Sequence, residues 1–231
     1  MRIKDKINKK NGNVMLTSVC VTKFYSFVID GTLNKPSFVL RWYIKSLSLV
    51  LKRFLLDDDL KTALIKATDY VCKKYKDSFK EMPIISIGVC KNNNGMLEIA
   101  VINDIKCYLK NKGMVVLTDN VVNDYENRVF DEVNGGKVIP NNGIYHNILD
   151  INNYTYYTIS YDEPFSILFC NRAFQNYQRY LRLEDDSFNT LIKEQGFRYC
   201  LGHIKRIEEG NTANIKTYFG NAASGVYKVL I

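Results

Sequence analysis

The chain has 231 residues, of which 46% are apolar, 13% aromatic and 24% charged, so it holds enough apolar side chains to bury one sizeable core. That composition excludes a wholly disordered chain, a collagen-like fibre and a disulfide mini-scaffold. Its 32 Lys and Arg against 24 Asp and Glu give a formal charge of +8, which suggests an anionic partner only if the excess is gathered on one working surface.

Residues 1–10 hold five basic side chains and one acid, a net +4, and read as a basic flexible tail. Asn11-Gly12-Asn13 is a turn signal that opens a single domain over 11–231. Val14–Val21 and Phe24–Ile29 are short β-branched and aromatic runs, a strand pair that delivers Asp30-Gly31 to a strand end. From Phe38 the period changes: Leu40, Tyr43, Ile44, Leu47, Val50, Leu51 and Phe54 share one helical face, opposite Arg41, Lys45, Ser48 and Lys52. Asp57-Asp58-Asp59 then caps a second helix with Leu60, Ala63, Leu64, Ala67, Val71, Cys72 and Tyr75 inward. Residues 35–80 carry eleven basic residues against five Asp, a net +6, while residues 81–231 sum to −2. Lys and Arg on the outer face of amphipathic helices form an ordinary solvated face, favoured here over a nucleic-acid surface despite the interleaved Tyr and Trp42.

After Pro83 come four apolar runs, Ile84–Cys90, Met96–Ile102, Ile105–Leu109 and Met114–Leu117, separated by Asn92-Asn93-Asn94-Gly95 and Asn111-Lys112-Gly113. Those separators are hairpin chemistry and predict an antiparallel meander. Val121–Val133 fits a short helix closed by Gly135-Gly136, and Tyr154–Tyr161 and Phe165–Cys170 fit strands flanking Asp162-Glu163-Pro164. Helical patterns follow over 172–183, 187–195 and 197–209, the second capped by Asp186 or Ser187, and Gly225–Ile231 is a closing buried strand. Strands, two helices, strands, helices and a last strand make an α+β chain with two sheets sandwiched between helical layers.

Cys20, Cys72, Cys90, Cys107, Cys170 and Cys200 form no CxxC pair and read as free, mostly buried thiols in a reducing cytoplasm. The basic start runs into a turn instead of an apolar leader, and Phe38–Leu56 is broken by four cations, so neither a signal peptide nor a membrane span is expected. Asn153-Tyr154-Thr155 then matches the glycosylation pattern by accident. His146 and His203 stand apart with no ligand spacing around them, and there is no Ser-His-Asp set and no Gly-rich phosphate loop.

Four patches in order resemble the metal-dependent protein phosphatase 2C family. Phe27-Val28-Ile29-Asp30-Gly31 is similar to its strand ending in Asp-Gly, and Ala100–Leu109 followed by Asn111–Thr118 to its Gly-Asp-Ser-Arg strand and hairpin. Phe165–Arg172 is similar to the strand leading to Ser-Asp-Gly, and Asn221–Ile231 to the terminal Asp-Asn and strand. The resemblance spans nearly the whole chain and implies a four-layer αββα sandwich with two mainly antiparallel sheets. It also implies a cleft where two Mg²⁺ or Mn²⁺ ions activate water against phosphoserine or phosphothreonine. Carried across, Asp30, the Gly31 carbonyl and Asp104 match metal-binding positions. Gly12 or Asn13 stands at the early acidic position, Arg172 at the Ser-Asp-Gly aspartate and Asn221 at the terminal aspartate.

An arginine at a ligand position adds a repulsion of roughly 1–4 kcal/mol to a nearby cation. The favoured expectation is therefore a pseudophosphatase with no cofactor, serving as a binding or regulatory module for a phosphorylated or acidic protein partner, with Arg172 as the anion-binding candidate. The alternative is an active, divergent Mn²⁺- or Mg²⁺-dependent serine/threonine phosphatase in which Asp30 and Asp104 recruit Asp119, Asp124 or Asp162. A weaker alternative is nucleic-acid binding through the basic helices. Without the resemblance, Asp30 and Asp104 are ordinary turn residues and Arg172 opens a helix toward solvent.

Overall fold

The computed structural model describes residues 2–8, 17–32, 38–75, 84–93, 95–117, 154–210 and 223–230. Among these residues ten strands and four helices follow in order: β1 (Arg2–Asn8), β2 (Thr17–Val21), β3 (Tyr25–Thr32), α1 (Phe38–Asp57), α2 (Leu60–Tyr75), β4 (Ile84–Asn93), β5 (Met96–Ile102), β6 (Lys106–Lys110), β7 (Met114–Leu117), β8 (Thr155–Ser160), β9 (Phe165–Cys170), α3 (Arg172–Tyr180), α4 (Asp185–Gly210) and β10 (Ser224–Leu230). One antiparallel sheet runs β1-β10-β9-β6-β7 and the other β2-β3-β4-β5-β8.

Three buried apolar clusters separate four layers. The first joins α1 and α2 to the β2–β5 sheet through Leu40, Tyr43, Leu47, Leu51, Ala63, Leu64 and Ala67. The second joins α3 and α4 to the other sheet through Phe174, Tyr177, Phe188, Phe197 and Tyr227. The third lies between the sheets, where Val28, Ile99 and Val101 face Cys107, Ile167, Phe169 and Val226. The αββα sandwich expected from the sequence is the observed architecture.

Local chemistry explains the boundaries. The Asp59 carboxylate accepts from the Thr62 amide at 2.9 Å and from its hydroxyl at 2.6 Å, capping α2. These bonds hold the Asp59 pKa below its ordinary value. Gly196, at φ 77°, breaks α4 where the sequence patterns 187–195 and 197–209 divide, while the helix starts at Asp185, so Asp186 and Ser187 lie inside its first turn. The expected helix over Val121–Val133 lies outside the described residues.

Two expectations change. Residues 1–10 are not all tail, because Arg2–Asn8 pairs antiparallel with β10 from Arg2↔Val229 to Asn8↔Ser224, with an irregularity between Ile3 and Asp5. The four-strand meander is instead two hairpins in different sheets, since β4 and β5 pair in one and β6 and β7 in the other. The chain crosses between them at Asn103, whose φ of 57° is left-handed, a conformation asparagine tolerates.

Gly88 on β4 faces the other sheet closely: a Cβ there would lie 2.4 Å from Ile105 Cγ2 and 2.7 Å from Phe169 Cδ1. Gly88→Ala is therefore expected to destabilise by about 1–3 kcal/mol, seen as a lower urea midpoint with an unchanged slope. Between the sheets Lys228 is buried, and its Nζ donates to Ser26 Oγ across the layer at 3.1 Å. Burial pushes its pKa down, partly opposed by Cys90 and Cys20.

Candidate functional site

Asp30, Asp104 and Arg172 come together at one end of the sandwich. Asp30 sits near the end of β3, paired in register with Thr17 on β2 and Ser86 on β4. Ser86 Oγ accepts from the Asp104 amide at 3.1 Å, and Asn103 Nδ2 donates to the Ile85 carbonyl at 2.8 Å, fixing the β5–β6 crossing against the edge of β4. From α3, Gln175 Nε2 donates to the Asp104 carbonyl at 2.7 Å and to that of Cys170 at 3.2 Å.

Asn171, between β9 and α3, ties the centre together. Its Nδ2 donates to Asp30 Oδ2 at 2.7 Å, and its Oδ1 accepts from the Ser224 amide at 3.1 Å. It stands at the N-cap of α3 but makes no side-chain cap bond, because both ends of its amide are committed across the junction. Arg172 opens α3, as helix-start chemistry suggests, yet does not point to solvent: Nη1 lies 3.6 Å from Asp104 Oδ2 with the side chain about one-fifth exposed. Burial dominates the Asp30 carboxyl and raises its pKa to about 7. The Asp104 charge adds to that rise, while the Asn171 hydrogen bond, the Gly31 amide and Arg172 oppose it.

The donor set is a poor fit to a binuclear pair of hard cations, which needs several converging carboxylates. Among the described residues no group of three or more His, Cys, Asp or Glu gathers. The two carboxylates at this junction already face an amide N–H and a guanidinium, respectively. Gly12, Asn13 and Asn221 lie outside the described residues, as do Asp119 and Asp124, and the first three bring no carboxylate by their chemistry. Asp162 is exposed in the turn before β9, at the far end of that strand from Asn171, so it does not join the site.

His203 is not a ligand in this arrangement: its Nδ1 is hydrogen-bonded to Tyr177 Oη at 2.7 Å within the outer helical layer. His146 lies outside the described residues. All six cysteines are free thiols, five of them buried. Among the described residues no helix is long and apolar enough to cross a membrane. Sequence reasoning missed Asn171, Gln175, Ser86 and Ser224. The signal available for Asn171 was an asparagine before a helix, which reads as a cap.

No family model matches the sequence, and no curated protein matches it. Solved structures do. The serine/threonine phosphatase PstP/Ppp of Mycobacterium tuberculosis aligns with a TM-score of 0.64 at 12% identity, over 97% of this chain and 96% of that one. A PstP catalytic domain in complex with two manganese ions aligns at 0.59 and 13% identity, over 98% and 97%. The phosphatase Stp1 of Staphylococcus aureus aligns at 0.60 and 9% identity, over 100% and 96%. With two antiparallel sheets between helical layers and an alignment that runs nearly end to end, the chain has the protein phosphatase 2C fold.

Proposed function

We propose that the chain is a catalytically degenerate phosphatase 2C-like protein, a pseudophosphatase that works in the cytoplasm as a binding or regulatory module for a phosphorylated or acidic protein partner and needs no metal. The observation that carries this reading is Arg172 beside Asp104: a guanidinium stands at the position where the family resemblance expects a carboxylate. It places positive charge next to one of the two remaining carboxylates and leaves Asp30 to be neutralised by burial near pH 7. The same guanidinium is the group best suited to meet an anion entering the cleft, because its planar fork matches phosphate and carboxylate oxygens.

The test is calorimetric titration of the full chain with Mn²⁺, alongside hydrolysis of an aryl phosphate. The expected result is no micromolar two-site binding and turnover no greater than that of Asp30→Ala. In Arg172→Asp, removing the cation and adding an anion should tighten Mn²⁺ at least about tenfold, given roughly 1–4 kcal/mol per charge at contact range. Micromolar two-site binding by the unaltered chain, with turnover lost in Asp30→Ala, would identify the active metal-dependent phosphatase instead. For the nucleic-acid alternative, a nonspecific duplex should fail to bind at low salt, where phosphate tracking is strongest.

A further inference from the structure

The inner face of α1 is buried against the β2–β5 sheet by Leu40, Tyr43, Ile44, Leu47, Leu51 and Leu55. Its outer face is not the polar surface that a two-faced helix normally gives to water. Trp42 is 56% exposed, Leu49 57% and Leu56 63%, and they recur every seventh residue. Lys45 and Arg53 are exposed between them. At the α-helical turn angle all five project within an arc of about 80°, along a line about 21 Å long. One apolar side chain per heptad with cations between them makes a narrow mixed stripe, wide enough for one facing helix that sets apolar and charged side chains against it in turn.

The charges narrow the occupant. From Phe38 to Leu56 the helix carries Arg41, Lys45, Lys52 and Arg53 and no acid. A second copy laid on this seam would set cations against cations, whereas a helix with Glu or Asp flanking its own apolar line would be complementary. A flat anionic surface is a poorer match. The arc is narrower than the apolar face with which an interfacial helix lies in a membrane surface. We infer that the outer face of α1, along Trp42, Lys45, Leu49, Arg53 and Leu56, is a docking seam for an acidic amphipathic helix of a partner protein. This inference does not rest on the fate of the metal site, since no residue of the seam belongs to the cleft.

Trp42 is the only tryptophan in the chain, so intrinsic fluorescence reports on the seam directly. The probe is a synthetic peptide of about three heptads with Leu at the core positions and Glu beside them. Titrated into the full chain, it should shift the Trp42 emission to the blue, saturably, and bind about tenfold more weakly at high salt than at low. Leu49→Ser combined with Leu56→Ser should weaken binding at least tenfold while leaving the melting temperature unchanged, because both side chains are already largely in water. Lys45→Glu combined with Arg53→Glu should reject the acidic peptide and accept its lysine counterpart. An unshifted Trp42 emission, equal binding of acidic and basic peptides by the unaltered chain, or a shift produced by phosphatidylserine vesicles and not by the peptide would each overturn the assignment.

Discussion

Replacing Asn171 by alanine is expected to lower the unfolding free energy by about 3–5 kcal/mol at pH 8, because one truncation strands two buried groups. Asp30 loses the N–H that faces its carboxylate at 2.7 Å, and the Ser224 amide loses its acceptor in the first residue of β10. Both partners lie where water does not reach, with Asn171 itself 1% exposed. The Asn171 bond favours the ionised carboxyl, so its loss should weigh more at pH 8 than at pH 5, where Asp30 carries a proton. Urea unfolding at the two pH values measures this. A loss below about 1 kcal/mol at pH 8 would mean that water or a neighbour replaces the amide, against the burial described above.

Asp30→Asn should act in the opposite direction. In the unfolded chain the carboxyl releases its proton near its ordinary value of 3.8, but in the folded chain it holds it until about 7. Between those values the folded state binds more protons, so stability falls as pH rises through the window and the full penalty stands above it. That penalty is at most about 4 kcal/mol. Asparagine keeps an oxygen for Asn171 Nδ2 and carries no charge, so the variant should match the unaltered chain near pH 4 and exceed it at pH 8. Melting temperatures across this range, with chelator present, provide the check. The groups that act on the carboxyl, Asn171, Asp104, the Gly31 amide and Arg172, are retained in both proteins. Parallel pH profiles for the two would show that Asp30 ionises without hindrance.

The helices were legible in the sequence because their signals are local. The apolar positions from Leu40 to Leu51 repeat at the helical period, and Asp59 caps in the way its side chain allows. Hairpins were legible for the same reason, from the Asn- and Gly-containing turns between β4 and β5 and between β6 and β7. Which sheet each hairpin joins was not legible, since Ile99–Ile102 is buried on both faces and an apolar run of that kind fits either sheet. The lysines of β1 concealed a strand because edge strands accept charges that central strands do not. Asp30, Asp104 and Arg172, which the family resemblance singled out, lie together in the structure. The residues that join them, Asn171 and Gln175, answer to partners far away in the chain, and no short-range pattern reports such partners.

The faces that meet between the sheets are almost wholly apolar, and apolar contact is non-directional: by itself it resists separation far better than it resists sliding or rotation. Two polar contacts cross that layer from β3, Asp30 with Asn171 at one end and Ser26 with Lys228 four residues earlier. They lie about 13 Å apart along the strand. A single such pin would fix position but leave the sheets free to pivot about it; two fix the crossing angle as well. The Asp30–Asn171 contact is then one of the fasteners that set the angle between the sheets, so a ligand that draws Asp30 away from Asn171 would loosen the twist of the whole sandwich.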